Sequence, residues 1–390
     1  MNLYREMIIR IRKLLSAGGG LVAFGLSAAQ TSLISFHIAH NCEKEYLGIF
    51  SFLLSVLYFS IQLLRRNVIE PFYRERISWI SKHYRRQILL ILLQAALIFL
   101  VTALISKFFK LSLSLLVLTV TSILWEIKKA ELRKADSITS YTILEFLLAS
   151  ILILIVAGNF FGIVIGGETT IFTVSFIQAS FILKSRICQD SRLKFSERHQ
   201  SVSQIVTFPF GEFFFVTVIL LTNFYFIYRG FASQIGEIRA VFLLLIGSTF
   251  SIGALRNSLA INMKYSFSNL LILGSFSLNL IFVCFLPVNL LQKTIPSVPD
   301  NFRSLFLPIA LDIFGSLIFA VSSLQLLRHG NLLASSRART LSALAIILIM
   351  GFSVNIKLDA KEISWVYASA SMIGALYVCV ISRIQRLSAN

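Results

Sequence analysis

The stretch LLRRNVIEPFYRER, Leu63–Arg76, closes a long apolar run and carries four arginines in fourteen residues. In a soluble chain such a stretch is a basic patch awaiting an anionic partner. In a membrane chain it is the foot of a span, kept on the cytoplasmic side by the retention of Lys and Arg there. The residues in front of it decide. Residues 47–65 read LGIFSFLLSVLYFSIQLLR, with no charge before the closing arginine. A run of that length crosses the roughly 30 Å hydrocarbon layer as a helix. The whole chain follows suit. Of 390 residues, 56% are hydrophobic and 14% charged, where soluble domains average about 45–50% and about 25%. Mean hydropathy is +0.81. This is the composition of a polytopic membrane protein.

Twelve apolar segments are long enough to be counted as spans: 18–40, 47–65, 88–106, 111–125, 141–165, 169–185, 206–228, 236–256, 268–290, 304–327, 338–357 and 363–382. Backbone groups in lipid must bond within their own segment, so the expected fold is all-α. A barrel would show ten-residue alternating strands, and no run alternates that way. With the N-terminus inside, about three quarters of the 36 Lys and Arg fall in inside segments, as the positive-inside bias requires. Both termini are then cytoplasmic. The start, MNLYREMIIRIRKLL, reads as an amphipathic arm leading into a retained first span, not as a cleaved leader. The net charge of +18 belongs to loops facing anionic membrane lipids rather than to nucleic acid.

Outside loops are short, the longest lying around 288–303, so function must reside among the helices or at their mouths. Two inside stretches read as solvated cytoplasmic helices. Arg74–Gln87 sets Ile77, Ile80 and Tyr84 at helical spacing among bases, which fits a helix on the membrane surface. Glu126–Asp136 pairs Glu126 with Lys129 and Glu131 with Lys134 at i,i+3, which extends the fourth span.

The Arg66-Asn67 pair returns as Arg256-Asn257, each closing the second span of a half-chain. The same offset sets Gly19 against Pro209 and Val22 against Glu212. The first span of each half therefore opens on a helix-weakening element, AGGG at 17–20 and FPFGE at 208–212. The expected organisation is two six-helix lobes, 1–195 and 196–390, and matched interruptions of this kind point to a transporter's moving or binding helices.

The motifs of soluble chemistry are missing. No GxxxxGK[ST], HExxH or GxSxG occurs. The four cysteines, Cys42, Cys188, Cys284 and Cys379, are far apart and suggest neither a disulfide framework nor a zinc site. His37 and His40 lack a further metal ligand and read as interfacial residues. Glu43 and Glu45 would suit a lipid-sugar glycosyltransferase only alongside larger external loops. No metal, cofactor or catalytic residue is expected.

Charges at bilayer depth are costly, about 2.5–3.5 kcal/mol on insertion scales, and those that persist face cavities or partners. Glu145 and Arg239 lie near span ends and can snorkel to the interface. Glu212, beside Pro209 and Gly211, and Asp312, between Pro308 and Gly315, read as coupling or gating residues. Gln30, Gln178 and Asn223 are polar at span depth and are expected to bond across helices or line a cavity.

The run YLGIFSFLLSVLYFSIQLLRRNVIEPF, 46–72, resembles the second span and following loop of Wzx-type polysaccharide flippases. These belong to the multidrug/oligosaccharidyl-lipid/polysaccharide exporter superfamily, with the MATE exporters. GEIRAVFLLLIGSTFSIGALRN, 236–257, resembles that family's eighth span. The resemblance implies a multi-pass carrier of the bacterial inner membrane, acting as a monomer. It would move undecaprenyl-diphosphate-linked oligosaccharide to the outer leaflet by alternating access of two lobes, with a polysaccharide polymerase as partner. Arg65, Arg66 and Arg256, at the cytoplasmic ends of second helices, and Arg239, deeper in the alignment with the family, become the candidates for binding the diphosphate, since a guanidinium suits phosphate oxygens. The alternatives are a MATE-like cation-coupled exporter of small amphipathic molecules, an oligosaccharide polymerase or ligase with catalytic Arg and His in external loops, and a transport-inactive scaffold. The basic excess and short outside loops argue against the first two.

Overall fold

A computed structural model of the chain describes residues 30–69, 82–106, 108–134, 138–163, 165–184, 210–261, 267–328, 332–353 and 358–389. Helix α1 covers 30–41. It is followed by α2 (Lys44–Leu64), α3 (Lys82–Ser106), α4 (Phe109–Lys134), α5 (Ile138–Phe160), α6 (Gly167–Lys184) and α7 (Phe210–Tyr228). Then come α8 (Ala232–Leu244), α9 (Ile246–Ile261), α10 (Phe267–Phe285), α11 (Val288–Thr294), α12 (Phe302–Arg328), α13 (Leu332–Ser353) and α14 (Ala360–Ala389). No strand occurs among the described residues.

Helix stands in each of the twelve segments expected from hydropathy. Among the described residues, six helices are long and apolar enough to cross a membrane, or up to eight if two bent pairs each count as one span. The chain is thus an all-helical membrane protein. The surface helix expected over Arg74–Gln87 falls mostly outside the described residues, as do AGGG at 17–20 and Pro209.

Chain contacts divide the protein into two compact units, Met1–Asn41 with Leu53–Ile205, and Cys42–Phe52 with Val206–Asn390. In the first unit α4 is the hub, touching α3, α5 and α6. Its buried stripe runs Leu111, Leu115, Leu118, Ser122, Trp125, Lys129, while Leu113 and Leu124 face outward. That spacing of alternating fours and threes is a single helix face. The stripe begins apolar and ends polar, and this places a lysine inside.

Beyond Leu64, helix α2 ends in a π-turn over Arg65–Ile69. In sequence a proline follows at 71, and proline lacks the N–H a helical ladder needs, which fits a helix that ends here. The matching pair Arg256-Asn257 behaves differently: α9 continues as α-helix to Ile261.

Small residues set the packing of the second unit, as they do where helices cannot rely on a hydrophobic drive between them. Helices α12 and α14 share the most extensive interface, and α14 also packs on α13, which packs on α7. Gly315 of α12 leaves about one atom's room beside Ser371 of α14, and Gly374 of α14 sits against Ser342 and Ala338 of α13. Gly211, in the first turn of α7, lies on the Ser336 carbonyl of α13, and its N–H donates to Ser336 Oγ at 2.9 Å. A first-turn N–H has no partner within its own helix, so this bond satisfies it. At the start of α2, Gly48 and Gly236 of α8 face one another, each beside a backbone carbonyl of the other helix. The ion pair Lys44–Glu237, at 2.8 Å, flanks that crossing.

Candidate functional site

Four charged side chains of the first unit form an alternating chain. Arg65, on the π-turn, grips Glu126 of α4 with two nitrogens, Nη2 at 3.1 Å and Nε at 3.2 Å. Glu126 also pairs with Lys129, one turn on. Lys129 lies 3.5 Å from Glu145 of α5. The Glu145 carboxylate receives two further donors, Trp125 Nε1 at 3.1 Å and Gln30 Nε2 of α1. Gln30 bonds the Glu145 backbone carbonyl as well, at 3.3 Å. Burial deepens along the chain. Arg65 is 38% exposed and Glu126 11%, Lys129 5% and Glu145 0%. A buried charge without a partner is prohibitive, and these four compensate one another.

Two expectations change here. Glu145 does not snorkel, because Trp125, Gln30 and Lys129 enclose it inside the unit. The Glu126–Lys129 pair forms as its spacing predicts, yet it is buried rather than solvated, because residue 129 falls on the inward stripe of α4. The side chains of Glu131 and Lys134 lie outside the described set. Gln178 of α6 bonds across helices as expected, accepting from Thr121 Oγ1 at 3.0 Å and Ser122 Oγ at 3.4 Å.

His37 closes the far end of α1. Its side chain is wholly buried, whereas His40 is half-exposed. Nε2 lies 2.8 Å from the Ile165 carbonyl and therefore carries the proton and donates. Nδ1 then accepts from Asn159 Nδ2 at 2.8 Å. This assignment follows from the hydrogen-bond network. A histidine with both nitrogens so committed joins α1, α5 and the start of α6. Among the described residues no group of three His, Cys, Asp or Glu side chains could hold a metal ion.

The second unit holds a separate polar cluster. Asp312 of α12 accepts from Ser371 Oγ of α14. One turn before Ser371, Tyr367 donates to Asn223 of α7 at 2.7 Å, so Asn223 bonds across helices as expected. Arg339 of α13 lies within electrostatic reach of Asp312. Its guanidinium sits over Phe319 at 3.7 Å and Phe215 at 4.7 Å. Two aromatic faces thereby stabilise one cation at low dielectric.

A second feature of this unit was hidden in the sequence. Helices α8 and α9 meet at a 66° bend, although no proline lies near it. The Ser248 N–H at the bend is shared between the Leu245 carbonyl, at 3.0 Å, and Asn279 of α10. Its Oδ1 accepts the Ser248 N–H at 3.0 Å and the Ser248 hydroxyl at 2.8 Å. Gly247 leaves the space, since a Cβ there would come within 3.1 Å of the Asn279 side chain. Side-chain insertion is a known cause of sharp helix bends. The available signal was a lone Asn in an apolar run opposite IGST.

Of the residues singled out by sequence, Arg65 joins the first cluster and Asp312 the second. Arg239 is half-buried on α8, ahead of the bend. Gly211 makes the α7–α13 contact. Arg66, Glu212 and Arg256 lie in helical segments, and their side chains are outside the described set. Arg65 and Asp312 belong to different units.

Fold and sites together define a helical membrane protein with an internal charge chain in one unit and a polar-aromatic cluster in the other. Comparison with family models, with curated proteins and with solved structures finds no match for the chain.

Proposed function

We propose that the protein carries an undecaprenyl-diphosphate-linked oligosaccharide across the bacterial inner membrane, for surface polysaccharide assembly, by alternating access. In this reading the chain crosses twelve times, both termini are cytoplasmic, and a polymerase receives the cargo. The resemblance of residues 46–72 and 236–257 supports it. The observation that carries it is Arg65. Its guanidinium is half-exposed at the foot of a span, and the buried Glu126 fixes its orientation through Nε and Nη2. Among the described residues the other terminal nitrogen has no partner, which leaves it to meet a phosphate oxygen in the fork geometry that lysine lacks.

The test is transport of a polyprenyl-diphosphate oligosaccharide in proteoliposomes. Arg65→Gln is expected to lower the rate by about tenfold or more, the worth of one charge-assisted bond, with Arg65→Lys restoring only part. Full transport by the Gln variant would defeat the reading.

Asp312 and Glu212 are the coupling or gating residues of this proposal, because Asp312 links α12 to α14 beside a cation. The same vesicles, set across a pH or sodium gradient, decide the point for Asp312. Loss of gradient dependence in Asp312→Asn is expected, and unchanged dependence removes Asp312 from the mechanism. Export of small amphipathic cations is the weaker reading, since two aromatic faces of this cluster, Phe319 and Phe215, are already filled by Arg339.

A further inference from the structure

Helix α2 hides most of its surface. From Leu53 to Leu64 every residue is buried except Ser55, Tyr58, Ile61 and Gln62. Ser55, Tyr58, Gln62 and then Arg65 follow one another at spacings of three, four and three, which is one face of a helix. Tyr58 and Gln62 are exposed, and Ser55 and Arg65 are half-exposed. The accessible face of this span is therefore polar almost throughout. A face turned to hydrocarbon looks different in the same unit, where α3 shows Leu89, Leu93, Leu97, Leu100 and Leu104.

Lipid beside α2 would leave a phenol and an amide without hydrogen bonds, which is costly in hydrocarbon. Among the described residues neither Tyr58 nor Gln62 has a hydrogen-bond or ring partner. Ser60 is the polar residue of this stretch that turns inward, and it is satisfied by the Val56 carbonyl at 2.9 Å. The outward pair has no such local arrangement, so what satisfies it comes from outside the helix.

We propose that the Tyr58–Gln62 face of α2 binds the sugars that the carrier lipid bears next to its diphosphate. This rests on the reading of Arg65 as the diphosphate contact. Above Arg65 the face holds no charge, which suits a neutral polyhydroxylated chain and not a second ion. With the helical rise, Gln62 stands about 5 Å and Tyr58 about 10 Å along the axis from Arg65. That is the order in which the first sugars follow a diphosphate. Gln62 presents two N–H donors and a carbonyl acceptor, the complement of neighbouring sugar hydroxyls. Tyr58 presents a flat ring to the C–H face of a pyranose and a phenol O–H to its rim. Glu126 keeps the Arg65 guanidinium in place throughout, so the diphosphate sets the register of the sugars beyond it.

The experiment compares two probes binding to the full chain in detergent: farnesyl diphosphate, and the same lipid diphosphate bearing one N-acetylglucosamine. Wild type is expected to bind the sugar-bearing probe about tenfold more tightly, the worth of one or two hydrogen bonds. Tyr58→Leu and Gln62→Leu should each remove most of that gain and bind farnesyl diphosphate as wild type does. Both positions are exposed, so the fold is expected to tolerate the changes. Tyr58→Phe is the milder arm, keeping the ring and with it part of the gain. Arg65→Gln should weaken both probes alike. Equal binding of the two probes by wild type, or a gain that survives in both Leu variants, overturns the sugar face. The headgroup reading then stands wherever Arg65→Gln still weakens both probes. Binding of neither probe by wild type, or unchanged binding in Arg65→Gln, overturns the headgroup reading and this inference with it.

Discussion

Gly48→Leu is expected to leave no folded protein recoverable from the membrane, and Gly48→Ala to give a folded protein with a lowered Tm. A Cβ at Gly48 would land on the carbonyl oxygen of Ala232, and one at Gly236 on the carbonyl oxygen of Lys44. Both obstacles are backbone atoms of helices, so neither can turn aside as a side chain would. The Ala variant must part the two helices, and overpacking of this kind costs about 1–3 kcal/mol. Removing a helical glycine returns at most about 1 kcal/mol, so the clash wins. Leucine adds three more carbons at the same point. Gly274 and Gly351 supply the comparison, since nothing lies within 4 Å of a Cβ at either. Alanine there should leave Tm unchanged or raise it. Thermal denaturation in detergent, read beside size-exclusion profiles, measures both sets. A Gly48→Ala protein as stable as wild type would show that the close crossing is not formed.

Lys129→Met is the second large effect. Lys129 is the cation that lies between the carboxylates of Glu126 and Glu145, and it is almost wholly enclosed. Methionine fills its volume but leaves two buried carboxylates, of which Glu126 retains the cation of Arg65 and Glu145 keeps only the donors Trp125 and Gln30. Removing one member of a buried ionic set costs about 3–5 kcal/mol, mainly through the charge left behind. The Lys129→Met/Glu145→Gln pair should recover much of that loss, because the glutamine no longer needs the cation. A double-mutant cycle on Tm or denaturant midpoint separates this coupling from general damage. Additive losses would mean that the two side chains do not compensate each other.

Helical class and most helix positions were legible because they follow from apolar length alone. The four-and-three spacing of Leu111, Leu115 and Leu118 was legible too, and extending it to Ser122, Trp125 and Lys129 forecasts an inward lysine. That reading was masked by the rule that charges near a span end face water. The rule failed because Glu126 and Glu145 converge on Lys129 from different directions, and Glu145 lies on another helix. Partnership across helices has no sequence spacing to betray it. The same holds for Asn279, whose effect appears 31 residues away at Ser248. Pairing of Gln30, Gln178 and Asn223 was foreseeable in kind, because an amide in hydrocarbon must find a partner. Which partner each finds depends on tertiary placement.

The bend between α8 and α9 has a mechanical consequence. The Ser248 amide there is held from two sides, by the Leu245 carbonyl along the chain and by Asn279 across it, so straightening α9 onto α8 would have to break the Asn279 bond. Helices α9 and α10 are therefore riveted at that point and must travel as one rigid lever, with its fulcrum at Leu245. Any stroke of this part of the molecule swings both helices together or first draws the rivet.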